Sequence, residues 1–207
     1  MHRVAVVGLL AVGLGLSVAT GSDLGPLPEE PVAAGRYPLT VDSCGEAVTI
    51  SSRPHDVMVV GREAASLVRA AGGVDQVTTV VDLAGEPTAE RSDASRGAVR
   101  LTVSADGADV LSAVEKRQPD LVVVPDLPGL PTAALASAGS AVLVLDSSCP
   151  AGADVAQPTT VAAAFDRTSA QVEALGRALG TGGPAAVSVA ALREQAREAA
   201  QAAAAGQ

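Results

Sequence analysis

Cys44 and Cys149 are the only cysteines in the chain, and His55 is the one histidine beyond the first few residues. A zinc or iron centre needs three or four converging ligands, so one imidazole and two distant thiols do not make one. The cysteines lack C-x-x-C spacing. A structural disulfide is therefore the simplest use of this isolated, even pair, if the protein reaches an oxidising compartment. Such a bridge would close a loop of about 100 residues, worth roughly 4–5 kcal/mol in the chain-entropy account. His55 follows Pro54 just ahead of an apolar run and reads as a surface residue leading into a strand. Catalysis finds little support. There is no G-x-S-x-G, H-E-x-x-H or Walker A pattern, and "GLGLS" lies in the apolar N-terminal stretch rather than after a strand. A serine triad would have to recruit His55, at the wrong end of its strand. The expectation is a binder, with no catalytic residue, metal ligand or resident cofactor.

The elements that would position binding groups are legible as alternating strands and helices. "DVMVV" (56–60), "QVTTVV" (76–81), "AVRLTV" (98–103), "DLVVV" (120–124) and "AVLVLD" (141–146) read as strands. "REAASLVRAAGG" (62–73), "ADVLSAVEKR" (108–117) and "PTAALASAG" (131–139) read as helices between them, with a polar loop over 82–97. Leu121–Val124 is apolar at every position, where a half-exposed strand would alternate. This is the pattern of a parallel sheet covered by helices on both faces, a Rossmann-like α/β fold. Ahead of it, "YPLTVDSCGEAVTI" (37–50) has the signature of a β-hairpin turning at Cys44-Gly45. Behind it, residues 159–181 and 184–207 read as two helices, the second entered at Pro184 and ending in nearly pure Ala and Gln.

Parallel sheets receive ligands at the carboxyl ends of their strands. Those ends carry Gly61, Arg62 and Glu63, then Asp82, Ser104, Asp126 and Ser147. Arg62 is the sharpest candidate, because it follows a strand, opens a helix, and has a guanidinium fork suited to carboxylate or hydroxamate oxygens. A solvated surface arginine is the competing reading. Arg91, Arg96 and Arg100 lie in or beside the long loop and could line the same cleft.

Composition narrows the class. With 48% hydrophobic residues the chain can bury a core, yet Tyr37 and Phe165 are its only aromatics, so a site built on stacked rings is disfavoured. A net charge of −9 disfavours nucleic acid and anionic membrane surfaces. Arg3 followed by an apolar run from Val4 to Leu16, then Ala19-Thr20-Gly21, reads as a secretory signal over residues 1–21. Ser22 stands where a lipoprotein would carry cysteine, so export without a lipid anchor is expected, followed by a flexible stalk over 22–36 rich in Pro, Gly and Glu.

The ordered set "YPLTVDSCGEAVTI", "PHDVMVVG", "ASLVRAAGGVDQV", "LSAVEKRQPDLVVV", "AVLVLD" and a long helix pair resembles the iron-siderophore, haem and vitamin B12 substrate-binding proteins of ABC importers, over roughly residues 37–200. The resemblance implies one lobe over 37–183 and the start of an inter-lobe bridging helix over 184–207. It also implies a small-molecule ligand of the ferric-chelate class and an ABC permease as partner. In that family a second lobe completes the cleft, and this sequence reads as an N-terminal lobe without it. Family members often carry a permease-docking Glu on the helix before "QPDLVVV", and the matching position here is Ser112, with Asp109 and Glu115 nearby. The alternative expectations are a secreted single-lobe interaction module or a truncated product.

Overall fold

A strand with no polar side chain can sit only between two covered faces, and the computed structural model puts the central strands there. The structure describes residues 36–86, 97–105, 107–127, 129–130, 132–145, 149 and 160–205. The hairpin is β1 (Leu39–Ser43) and β2 (Glu46–Ile50). The α/β body follows as β3 (Val57–Val60), α1 (Gly61–Ala70), β4 (Val77–Leu83), β5 (Val99–Val103), α2 (Gly107–Arg117), β6 (Leu121–Val124), α3 (Thr132–Ser137) and β7 (Ala141–Val144). Two helices close the described chain, α4 (Val161–Leu179) and α5 (Gly182–Ala205).

β1 and β2 pair antiparallel, while the five remaining strands form a wholly parallel sheet in the order β5-β4-β3-β6-β7. Side chains alternate between its faces, as a pleated strand requires. Val57, Val59, Val80, Leu121, Val123 and Leu143 join a core with α1, α4 and the first turns of α5. Met58, Val60, Val81, Val122, Val124 and Val142 join a second core with α2 and α3. All of β3 and β6 is at most 1% exposed, so the apolar runs of both strands divide between two cores.

Local differences from the sequence reading are few. A 3-10 turn over Val74–Gln76 precedes β4, which runs on to Leu83, and Val77 is only half-buried at its start. α5 begins at Gly182, two residues before Pro184. Proline lacks only an N–H that the first helical turn leaves unpaired anyway, so the helix can start ahead of it. The segments read as leader and stalk fall outside the described residues, except Arg36. No helix among the described residues is long and apolar enough to cross a membrane.

Two devices tie the periphery to the sheet. At the hairpin, the Ser43 hydroxyl accepts the Val144 N–H of edge strand β7 at 2.9 Å. Cys44 and Cys149 are bonded, with Cα atoms 5.3 Å apart. At the other end of the fold, α4 stops where Gly180 adopts φ +69°, a left-handed cap that glycine takes without strain. The carbonyls left unpaired there find side-chain donors. The Tyr37 hydroxyl donates to Ala178 O at 2.9 Å, and both Arg53 Nε (3.2 Å) and Gln76 Nε2 (2.9 Å) donate to Leu179 O.

Two measurements check these devices. The disulfide spans 105 residues, so reductant should lower the unfolding free energy by about 2–5 kcal/mol in denaturant melts. Unreduced, denatured protein should titrate with no free thiol, and two free thiols would contradict the bond. Burial raises the Tyr37 pKa, against the opposing pull of Arg53, because the fold holds the neutral, donating phenol. With the folded pKa above the unfolded one, that stability is complete below about pH 10 and is lost as pH rises through the folded value. Tyr37→Phe should cost about 1 kcal/mol at neutral pH and flatten the fall of melting temperature between about pH 9 and 11. An equally steep fall in the variant would assign the alkaline loss to other groups.

Candidate functional site

Strand order locates the crevice before any side chain is considered. From β3 the chain crosses to β4 and β5 on one side, then returns to β6 on the other. The helices of the two paths lie on opposite faces, so the chain leaves β3 and β6 in opposite directions, the topology at which parallel sheets form a ligand crevice. Arg62 follows β3 and Asp126 follows β6, so two residues expected from the sequence flank the switch point. Both are exposed.

At β3 the chain passes straight into α1. Gly61 makes that corner with φ +79°, a conformation that a side chain would strain. Val60, the N-cap residue, offers no side-chain hydrogen bond. One donor is served instead from the turn beyond the neighbouring strand, where the Glu86 carboxylate accepts the Arg62 N–H at 3.2 Å. Glu86 stands on a turn after β4, closed by its own N–H to Leu83 O at 3.1 Å. Glu63 is exposed in the first turn of α1.

Toward the β5 edge, polar groups are engaged with one another. Arg100 donates through Nε and Nη2 to both Asp82 oxygens, at 3.0 and 2.9 Å. This fork raises the Arg100 pKa, against the cost of burial, and keeps it charged throughout. The Ser104 hydroxyl donates to Asp109 Oδ2 at 2.5 Å, and the Ser104 N–H reaches the same oxygen at 3.3 Å. The structure thus brings Gly61, Arg62 and Glu63 together at one corner, pairs Asp82 with Arg100 and Ser104 with Asp109, and leaves Asp126 across the switch point. Ser147, Arg91 and Arg96 lie outside the described residues. His55 is exposed ahead of β3, its N–H donating to the Asp120 carboxylate at 2.9 Å.

Sequence reasoning missed Glu86. Its signal was the Gly85-Glu86 turn immediately beyond a strand end. A cavity of about 1070 Å³ lies elsewhere, between the hairpin, β7 and α3, walled by Cys44, Ile50, Ala136 and Val142 among others. Of the expected site residues, only Asp126 reaches it. It follows the seam where the hairpin meets the sheet edge, so the carboxyl-edge crevice is the better candidate for binding. Among the described residues no three His, Cys, Asp or Glu side chains gather to hold a metal ion.

No family model and no curated protein matches the chain. Solved structures do. An ABC-type Fe3+-hydroxamate transport system from Saccharomonospora viridis shares 30% identity, covering 77% of this chain and 54% of its own, with a TM-score of 0.59. By fold, this chain belongs with the periplasmic binding proteins for iron siderophores, haem and vitamin B12. A periplasmic haem binding protein from Pseudomonas aeruginosa matches at 21% identity over 73% of this chain and 48% of its own, TM-score 0.54. The periplasmic vitamin B12 binding protein of Vibrio cholerae matches at 14% identity over 70% and 49%, TM-score 0.51. These two add the fold alone. The chain spans about half the length of the structures it matches. The neighbours are substrate-binding transport proteins, not enzymes.

The Asp82–Arg100 fork is partly exposed, so its removal should be felt but not fatal. Asp82→Asn should destabilise the fold by about 0.5–1.5 kcal/mol in urea melts, less at high salt. An unchanged midpoint would mean that the pair contributes nothing to stability.

Proposed function

We propose that the chain is the extracytoplasmic solute-binding component of an ABC importer and binds a ferric siderophore or similar iron chelate non-covalently at the carboxyl edge of its sheet. The observation that carries this reading is the switch point between β3 and β6, with the exposed Arg62 opening α1 beside it. The 30% identity to an Fe3+-hydroxamate transport system supports the ligand class. In this reading the Arg62 fork meets the acceptor oxygens of the chelate just beyond the corner that Gly61 makes. Glu63, Asp82, Ser104 and Asp126 supply the polar contacts around it, and Ser147, outside the described residues, is carried as a further contact on the sequence alone. Residues 1–21 direct export to the cell envelope, 37–183 form the lobe, and α5 begins the bridging helix. A permease would meet Ser112 on α2 where relatives often present Glu. Asp109 is already engaged by Ser104, which leaves the exposed Glu115 as the nearer acidic contact.

A binder that surrounds its ligand buries most of the ligand's surface, whereas one sheet edge alone leaves a side in water. If this edge supplies half of a micromolar binder's roughly 8 kcal/mol, the chain by itself binds in the millimolar range. Calorimetry with ferric chelates should find weak binding that Arg62→Ala abolishes. Submicromolar affinity surviving Arg62→Ala would overturn both the weak-binding reading and the site. A second reading, a protein-interaction module, draws support from Val161 and Val187, which are 89% and 71% exposed on α4 and α5. It gains ground if no chelate binds.

A further inference from the structure

The five-stranded sheet ends at β7, whose outer edge is only partly closed. Ala141 and Leu145 turn their N–H groups inward and donate to Asp120 O and Val124 O, at 3.0 and 2.9 Å. The hydrogen-bonding groups of successive strand residues alternate sides, so Val142 and Val144 turn theirs outward. Ser43 Oγ takes the Val144 N–H. The Val142 N–H has no partner among the described residues, and β2, which runs close by, makes no ladder with β7. The cavity of about 1070 Å³ lies over this stretch of edge. Its walls belong to opposite faces of the sheet. β2 sends Ile50 into the core under α1 and α4, while α3 sends Leu135 into the core under α2. A segment entering in extended form would continue the plane of the sheet, its alternating side chains meeting Val48 and Ile50 on one side and Ala133 and Ala136 on the other.

Charge says what kind of segment. Glu46, Asp120 and Asp126 line this groove, and no lysine or arginine does. All three carboxylates are exposed. Asp120 is held by two neutral donors, the His55 and Asp56 N–H groups, which leave it its charge. Glu46 pairs with Ser43 in the hairpin, so it stands with Asp126 toward the carboxyl end of β7, whereas Asp120 precedes β6 and stands at the other end. A strand as long as β7 spans about 13 Å, so cations about four residues apart on an extended segment match both ends. We infer that this groove docks an extended, basic segment of another protein, which joins β7 as a further strand through Val142 and sets Lys or Arg against these carboxylates. Other occupants fit less well. Residues 22–35 and 146–159, which flank the hairpin and β7 in sequence, hold acids but no lysine or arginine. A net charge of −9 sets a second copy against the same carboxylates. The inference does not depend on chelate binding at the carboxyl edge.

The probe is a short synthetic peptide of alternating valine and threonine with two lysines four positions apart, titrated into the full chain by calorimetry and followed by amide hydrogen exchange. Bound peptide should slow exchange of the Val142 amide by at least about tenfold. Its affinity should fall by about five- to tenfold in Glu46→Lys, and fall as salt rises. Glu46 is exposed, so the variant should melt as the wild type does. The same peptide with an N-methylated backbone keeps its charges but cannot pair, and should bind at least about tenfold more weakly. Equal binding of the N-methylated peptide overturns strand addition. Equal binding of a peptide with glutamate in place of lysine overturns the choice of a basic partner. A Val142 amide already protected in the chain alone, and indifferent to the peptide, means that the chain's own segment or a second copy fills the groove, and this too overturns the inference; sedimentation separates those two cases. A lysine peptide that does not bind at all sinks it.

Discussion

Burial of β3 and β6 on both faces is the constraint from which the rest of the architecture follows. A strand so placed can carry no polar side chain, and each of its residues must enter one of two cores. Helices are then needed on both faces, and each helix end near the core must satisfy its own backbone. The capture of the α4 carbonyls by Tyr37, Arg53 and Gln76 is one consequence. The placing of polar residues is another: excluded from the interiors of β3 and β6, they stand just beyond those strands, as the exposed Arg62 and Asp126 do.

That constraint also explains what was legible in the sequence. Leu121–Val124 and Val57–Val60 announce themselves because two-sided burial leaves an unbroken apolar run, and the topology follows from strands alternating with helices. Cys44 and Cys149 pair as an isolated couple should. Boundaries were less legible where a residue tolerates either side of them, as Pro184 does inside the first turn of α5. The pairing of Asp82 with Arg100 was hidden because it joins two strands 18 residues apart in sequence, a separation at which no local pattern sets register. Each residue read alone as a candidate ligand contact. Glu86 was hidden for a related reason: its value lies in reaching the helix after a different strand, which no local pattern encodes.

The likeness to siderophore, haem and vitamin B12 binding proteins extends this logic. Sequences as low as 14% identical reach the same fold, and they need share only the apolar positions that fill two cores. The residues at the strand ends are outside that requirement and free to differ.

The bond between Cys44 and Cys149 makes a covalent ring of the intervening 105-residue separation, and the ring encloses all five parallel strands. β1, α4 and α5 lie outside it. A single backbone cut inside the ring is therefore only a nick, since both pieces remain attached. A cut between Cys149 and α4 is an amputation, because only non-covalent contacts then hold Val172, Leu175 and Leu179 against the sheet. During synthesis the ring cannot close until residue 149 has emerged, by which time every strand of the sheet is already available to pair.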